Sequence, residues 1–290
     1  MLAKSPVVIT VWTGDHHPEQ AQPGATSRPP VAIRTPERDE KVTRNAEPVL
    51  QRPVHGKPPE VGMMLFDKVT IQDFIGAHTF FVVSGMKVHL VHETLEPVMS
   101  DTGVAIIPDT TLDDCPKRLD VLYVPGGDVS DLLRDKTKLD FLADRGLNAR
   151  YVTAVCMGSI VLAAAGLLDG YRAATHWATR PELARLGVDV STERMCVDRN
   201  RITGGGLTAG MDFGLMLLAE IFGEDVAQLA QLGMEYDPAP PFDAGNPERV
   251  SAEVMAQFQS IGGGVEQRLT DAVSHILDNR GALEPRPSHG

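Results

Sequence analysis

Cysteine is scarce in this chain. Only Cys115, Cys156 and Cys196 occur in 290 residues, an odd and widely spaced set with no CxxC pair. That pattern fits a reducing compartment, makes the cytoplasm the expected location, and offers no zinc signature. Basic charge is scarce too: 27 Lys and Arg stand against 39 Asp and Glu, for a formal net charge of −12. A nucleic-acid binder needs a basic stripe, so nucleic acid is excluded as an expected partner. No uninterrupted apolar run approaches the roughly 18 residues of a membrane span, so no membrane partner is expected. No internal repeat is found. What is present, 42% hydrophobic and 23% charged residues, is the balance of a soluble globular protein. The length allows one large domain or two small ones with a proper core.

Proline marks the first boundary. Ten of the 21 prolines fall before position 60. After "VVITVW" no apolar periodicity follows there, so residues 1–57 read as a disordered tail that cannot offset its ordering entropy. The opening "MLAKSPVVITVW" has too short an apolar stretch, and no clean cleavage site, for a secretory signal. A loose tail or a misassigned start explains it. From Glu60 the texture changes, and residues 58–280 read as one α/β domain, with 281–290 fraying. "EVGMMLF" suits a buried strand, and "TIQDFIGAHTFFVVSG" has helical spacing ended by glycine. "PVMSDTGVAIIPD" resembles a hairpin, and "LDVLYVPGG" is a second buried strand. "DVSDLLRDKTKLDFLADRG" reads as an acid-capped amphipathic helix. "YVTAVCMGSIVLAAAGLL" and "RITGGGLTAGMDFGLMLLAEIFG" repeat strand then helix, and Ser251 to about Asp278 is helical in character. Such alternation predicts a mostly parallel sheet with helices on both faces.

In that architecture, sites form at the carboxyl ends of strands, beside helix amino termini. Cys156 sits where a strand turns sharply into a helix. A small buried hydrophobe would suit the place. So would a nucleophile elbow, which lifts a reactive side chain above the sheet. The following helix's positive end predicts a favoured thiolate there. Gly126 and Gly127 end another strand, and with the Met157 amide they could form an oxyanion-type or substrate-binding pocket. A Gly-Gly pair also serves as a plain turn. Asp73 begins an otherwise apolar helix, either as a favourable helix-starting charge or as a carboxyl group raised in pKa for acid–base work. His176 could approach Cys156 from the side, or simply pack or cap.

Five stretches taken together resemble the ThiJ/PfpI superfamily, and its isonitrile hydratase branch in particular. They are "LFDKVTIQDFIGA", "DVLYVPGG", "RYVTAVCMGSIVLAAAGLLDGYRAATHWA", "NRITGGGLTAGMDFGLMLLAEIFG" and "EYDPAPPFDAGNP", spanning roughly residues 60 to 248. The resemblance implies a flavodoxin-like three-layer sandwich, usually a homodimer. It implies hydration of an isonitrile to an N-substituted formamide with no cofactor and no metal, Cys156 serving as nucleophile and Asp73 as acid and base. One departure stands beside the nucleophile: the branch usually carries threonine where this chain has Met157. "DFIGA" also replaces the more usual "DLTGP". Two alternatives follow from relatives of the same superfamily. One is a non-catalytic ligand-sensing domain like that of AraC-type regulators. The other is a glyoxalase or hydrolase, which normally places glutamate rather than aspartate in the first loop.

Overall fold

The computed structural model describes residues 56–280. The tail expected over 1–57 lies outside the described residues except for Gly56 and Lys57, and the fraying expected over 281–290 lies wholly outside them. The first apolar run forms β1 (Glu60–Met64), with all five residues buried, as a strand covered on both faces requires. α1 (Ile71–Val83) carries Asp73 in its first turn and ends at Ser84, before Gly85 at φ 80°. β2 (Lys87–His92) pairs with β1 in parallel. The expected hairpin is present as β3 (Val98–Met99) and β4 (Ala105–Ile106), an antiparallel pair. β5 (Thr110–Thr111) adds to β2, and β6 (Val121–Val124) adds to the other side of β1.

The next segment departs from the single helix expected. A 3₁₀ turn at Leu132–Arg134 comes first, then α2 (Lys136–Asn148). Asp135 makes the break: its backbone is extended, and its carboxylate accepts the Lys138 amide hydrogen at 3.1 Å. It is a better cap than the acid at the segment's start, because it satisfies one of the first-turn donors.

β7 (Tyr151–Val155) leads into α3 (Gly158–Ala164). β8 (Arg172–Ala173) and β9 (Asp189–Val190) form a small parallel pair flanking α4 (Arg180–Arg185) in sequence. β10 (Met195–Asp198) and β11 (Arg201–Gly204) form an antiparallel pair. α5 (Ala209–Phe222), α6 (Glu224–Gly233) and the 29-residue α7 (Ala252–Arg280) complete the chain described. Gly223, at φ 91°, separates α5 from α6, at the glycine where the expected strand-then-helix segment ends.

The main sheet has seven strands in the order β10-β11-β7-β6-β1-β2-β5, all parallel except β10. Strand β6 carries side chains to both layers. Tyr123 stacks on Phe213 of α5 at 5.2 Å and meets Phe81 of α1 edge-on at 5.8 Å. Burying each such ring stabilises the fold by about 2–3 kcal/mol. Leu122 and Val124 therefore point to the opposite face, where α3 packs on β6 and β7 and contacts α2 and α4. The result is the flavodoxin-like three-layer α/β sandwich. The chain leaves β1 toward β2 but later returns to β6 on its other side, so β1 and β6 border the topological switch point. Ligands bind in the crevice outside the strands' carboxyl ends at such a point.

Candidate active site

Three connections meet at that crevice: the β1–α1 loop, the loop after β6, and the β7–α3 turn. Cys156 fills the last with φ 54°, a left-handed conformation rare for a residue with a side chain. Neighbouring groups hold it there. The Cys156 amide donates to the carbonyls of Gly205 at 2.7 Å and Gly204 at 3.1 Å. Its own carbonyl accepts the Thr175 hydroxyl at 2.8 Å. Gly158, the first residue of α3, lies against β6 so closely that a Cβ would fall 2.1 Å from the Val124 carbonyl oxygen. The elbow expected from the sequence is thus built by close backbone approach.

Asp73 arrives from α1 and is fully buried. Its Oδ2 accepts the Gly126 amide hydrogen at 3.1 Å, while Oδ1 is buried with no hydrogen-bond partner. The Tyr123 hydroxyl donates to the Asp73 backbone carbonyl at 2.6 Å, fixing the start of the helix over β6. Gly126 brings the two candidate groups together. A Cβ on it would lie 2.5 Å from Asp73 Oδ2 and 2.9 Å from Cys156 Sγ. Only a bare residue fits between them.

The electrostatics follow from this dryness. Burial raises the Asp73 pKa to about 7, against the pull of the Cys156 thiol and the Gly126 amide, and the nearby Asp101 charge adds to the rise. Cys156 is pushed well above the usual thiol range by its own burial and then by the Asp73 charge, with the Met157 amide pulling the other way. The thiolate favoured by the helix end is therefore not the resting form. α3 is seven residues long, and its amino end does not outweigh desolvation and a neighbouring acid. Two groups with raised proton affinity share one proton-bearing site.

The structure sorts the remaining candidates. The Gly126 amide is engaged by Asp73 and the Met157 amide faces the sulfur, so in the resting site neither amide waits for an oxyanion. Gly127, at φ 143°, turns the chain against Lys68 and Val69, where a Cβ would lie 2.4 Å from the Lys68 carbonyl oxygen. His176 does not join the pair: its Nδ1 accepts the Ala178 amide hydrogen at 3.3 Å, and its ring leans on Trp177 at 5.5 Å. Burial and then Arg180 lower its pKa, so it is largely neutral at pH 7. Thr175, its neighbour, is the residue of that segment that touches the elbow. Asp101, not among the sequence candidates, also lies near the pair. Its Oδ1 accepts the Ile71 amide hydrogen at 3.1 Å at the start of α1, beside Asp73. Among the described residues, no group of three or more His, Cys, Asp or Glu is placed to hold a metal ion, and no helix is long and apolar enough to cross a membrane.

Comparison with known proteins gives the family. The chain is 48% identical over 198 residues to isonitrile hydratase of Pseudomonas putida, covering 68% of this chain and 86% of that protein. It is 31% identical over 185 residues to the HTH-type transcriptional regulator GbdR of Pseudomonas aeruginosa, spanning 60% of this chain but only 50% of the regulator. A crystal structure of a ThiJ/PfpI family protein from Pseudomonas syringae superposes with a TM-score of 0.72 at 40% identity, covering 75% of this chain and 91% of that one. Residues 59–220 match the model of the DJ-1/PfpI family. With its elbow cysteine at the switch point of a flavodoxin-like sheet, the chain belongs to the DJ-1/PfpI family.

Proposed function

We propose that this chain is an isonitrile hydratase, converting an isonitrile to an N-substituted formamide through Cys156 and Asp73 without a cofactor. The observation that carries the reading is the buried Cys156–Asp73 pair, converging on the space beside Gly126, with Asp73 raised to about 7. The terminal carbon of an isonitrile accepts a nucleophile and a proton at the same atom. A pair sharing one proton supplies both: sulfur bonds to the carbon, and the proton reaches that carbon through Asp73. The product is a thioimidate on Cys156, and no atom has left. Water then adds to the same carbon while Asp73 takes one of its protons. The carbon–sulfur bond breaks as the nitrogen is protonated. Of the two water protons, one ends on nitrogen and one returns to the pair. Covalent catalysis replaces one difficult hydration by two easier additions. A carboxyl group that is first acid and then base works best with a pKa near the working pH, which burial provides here.

The substrate expected is a small-molecule isonitrile, and the protein is expected to act on it as a cytoplasmic homodimer. Purified protein incubated with cyclohexyl isocyanide should yield N-cyclohexylformamide, detected by mass spectrometry. A second reading, a ligand-sensing domain, is favoured by Met157, which leaves no hydroxyl beside the nucleophile, and by the likeness to GbdR. Binding of the isonitrile without formamide production would select that reading.

A further inference from the structure

The turn between β3 and β4 is tied to the loop that leads into Asp73. Val69 lies between two segments, bridging Ser100 in parallel on one side and Gly127 antiparallel on the other. The Lys68 amide donates to the Met99 carbonyl at 2.7 Å, and the Thr70 amide to the Gly126 carbonyl at 2.9 Å. Asp101 adds two bonds to this arrangement. Its amide donates to the Val69 carbonyl at 3.0 Å, and its Oδ1 accepts the Ile71 amide hydrogen at 3.1 Å. Ile71 opens α1, and Asp73 follows in the same turn. A carboxylate placed there satisfies a first-turn donor and suits the positive end of the helix.

Asp101 differs from the pair it adjoins. Asp73 is fully buried and Cys156 nearly so, whereas Asp101 is exposed to solvent. Its charge reaches both of them, adding to the rise of Asp73 and of Cys156. The cations of the neighbouring segments are turned elsewhere. Lys68 directs its Nζ to Asp128 and Asp131, at 3.9 and 3.8 Å. Arg268 holds Asp128, and Arg194 pairs with Asp212. Arg180 donates to the Thr192 carbonyl at 2.8 Å. Among the described residues Asp101 itself forms no ion pair; its carboxylate is held by a backbone amide alone. An uncompensated negative charge therefore stands on the solvent side of the nucleophile.

We propose that Asp101 is a specificity-determining residue, whose exposed carboxylate, fixed at the start of α1, admits neutral substrates to the Cys156–Asp73 pair and turns anionic ones away. The inference rests on the site proposed above and narrows its substrate class to neutral isonitriles over those carrying a carboxylate. The physical basis is Coulomb repulsion between like charges, which acts over about 10 Å at 0.1 M salt.

Alkylation of Cys156 measures this selection without any turnover. Iodoacetamide and iodoacetate attack the same thiolate with the same leaving group, and only the second is an anion. The ratio of their rates therefore cancels the fraction of thiolate present. Peptide mass spectrometry of the full chain at pH 8 in low salt reads the ratio at Cys156, with mercaptoethanol in the same buffer as reference. Asp101→Asn keeps an oxygen for the Ile71 amide and loses the charge. It should lower the iodoacetamide-to-iodoacetate ratio about 3- to 10-fold. Salt tests the wild type without any substitution: at 1 M, where the screening length is about 3 Å, its ratio should fall toward that of the variant. Asp140→Asn removes the same unit of charge from α2 and should leave the ratio as in wild type. A ratio unmoved by Asp101→Asn or by salt, or moved equally by Asp140→Asn, overturns the proposal. So does a Cys156 that neither reagent reaches. A protein inactive on cyclohexyl isocyanide that still shows the Asp101-dependent ratio sinks the hydratase reading and leaves the charge selection standing. In an active protein, kcat/KM for isocyanoacetate relative to cyclohexyl isocyanide should rise by the same factor in Asp101→Asn, and an unchanged preference overturns the role of Asp101 in substrate choice.

Discussion

Replacing Asp73 by asparagine should change how the stability of this protein depends on pH, and in a definite direction. The Asp73 carboxyl is raised from 3.8 to about 7 by burial. A carboxyl group raised in this way keeps its proton in the folded state over a range where the unfolded chain has lost it. Its contribution to stability is therefore fully present below the unfolded pKa and is lost as pH rises through about 7. Asparagine has the same shape and no proton to lose. The stability of wild type relative to Asp73→Asn should fall by about 1.4 kcal/mol per pH unit between about pH 4 and pH 7, then level off. The total is on the order of 4 kcal/mol. Above neutral pH the variant should be the more stable protein, since an ionised carboxylate with one unpartnered oxygen is costly inside the fold. Urea unfolding at a series of pH values from 5 to 8.5 reads this directly, with m-values confirming that the unfolded states compare. The thiol gives a second readout. The Asp73 charge is one of the causes that push Cys156 up, so alkylation of Cys156 by iodoacetamide at pH 8 should be faster in the variant. Parallel stability curves for the two proteins across this range would refute the claim that Asp73 is a buried, proton-holding group.

Three further substitutions probe the same site. Cys156→Ser should abolish formamide production while costing about 1 kcal/mol or less in urea unfolding, because a hydroxyl replaces the thiol without loss of shape; residual turnover would remove the cysteine from the reaction. Gly126→Ala should reduce turnover below detection, since the added Cβ would lie 2.5 Å from Asp73 Oδ2 and 2.6 Å from Cys156 Cβ; an active alanine variant would show that the two groups do not meet there. Met157→Thr restores a hydroxyl beside the nucleophile and should raise kcat about tenfold, the backbone amide already supplying part of the stabilisation. If that variant creates activity where wild type has none, the ligand-sensing reading gains.

Local sequence carried the parts of this site that local geometry decides. "AVCMGS" between a β-branched run and small helical residues signals an elbow, and the strained Cys156 with the close-packed Gly158 is what that pattern builds. "VPGG" signals a bare strand end, and Gly126 is bare because two side chains converge on it. Asp73 was visible as a carboxyl group at an apolar helix start. Its proton affinity was less so, because the burial that sets it comes from β6, the elbow and the loop bearing Asp101, far away in sequence. The same long-range packing reversed the expectation for the thiol. A helix amino end is legible from sequence, but the acid facing it is not. His176 is legible as a candidate, yet Thr175 beside it holds the elbow, and nothing in the chemistry of an isolated threonine announces that. The break at Asp135 is not legible in the sequence for a similar reason. Several acids precede α2, and only the backbone angle at one of them makes it the cap.

The strained cysteine and the raised carboxyl group have one structural cause, and together they narrow the chemistry. A non-glycine residue in the left-handed region costs about 1–2 kcal/mol. Hydrogen bonds from the Cys156 amide to Gly204 and Gly205, and from Thr175 to its carbonyl, offset that cost at about 1 kcal/mol each. The backbone is thus held so that sulfur projects into the crevice at the switch point, where packing of α1 has already removed water from Asp73. A nucleophile and an acid brought against the same small space serve a reaction that adds both to one atom. Acyl hydrolysis places its demands apart, with the proton going to a leaving group some distance from the attacked carbon. Addition to the terminal carbon of an isonitrile needs both at once, and this is the ground on which the proposed reading prefers hydration to hydrolysis.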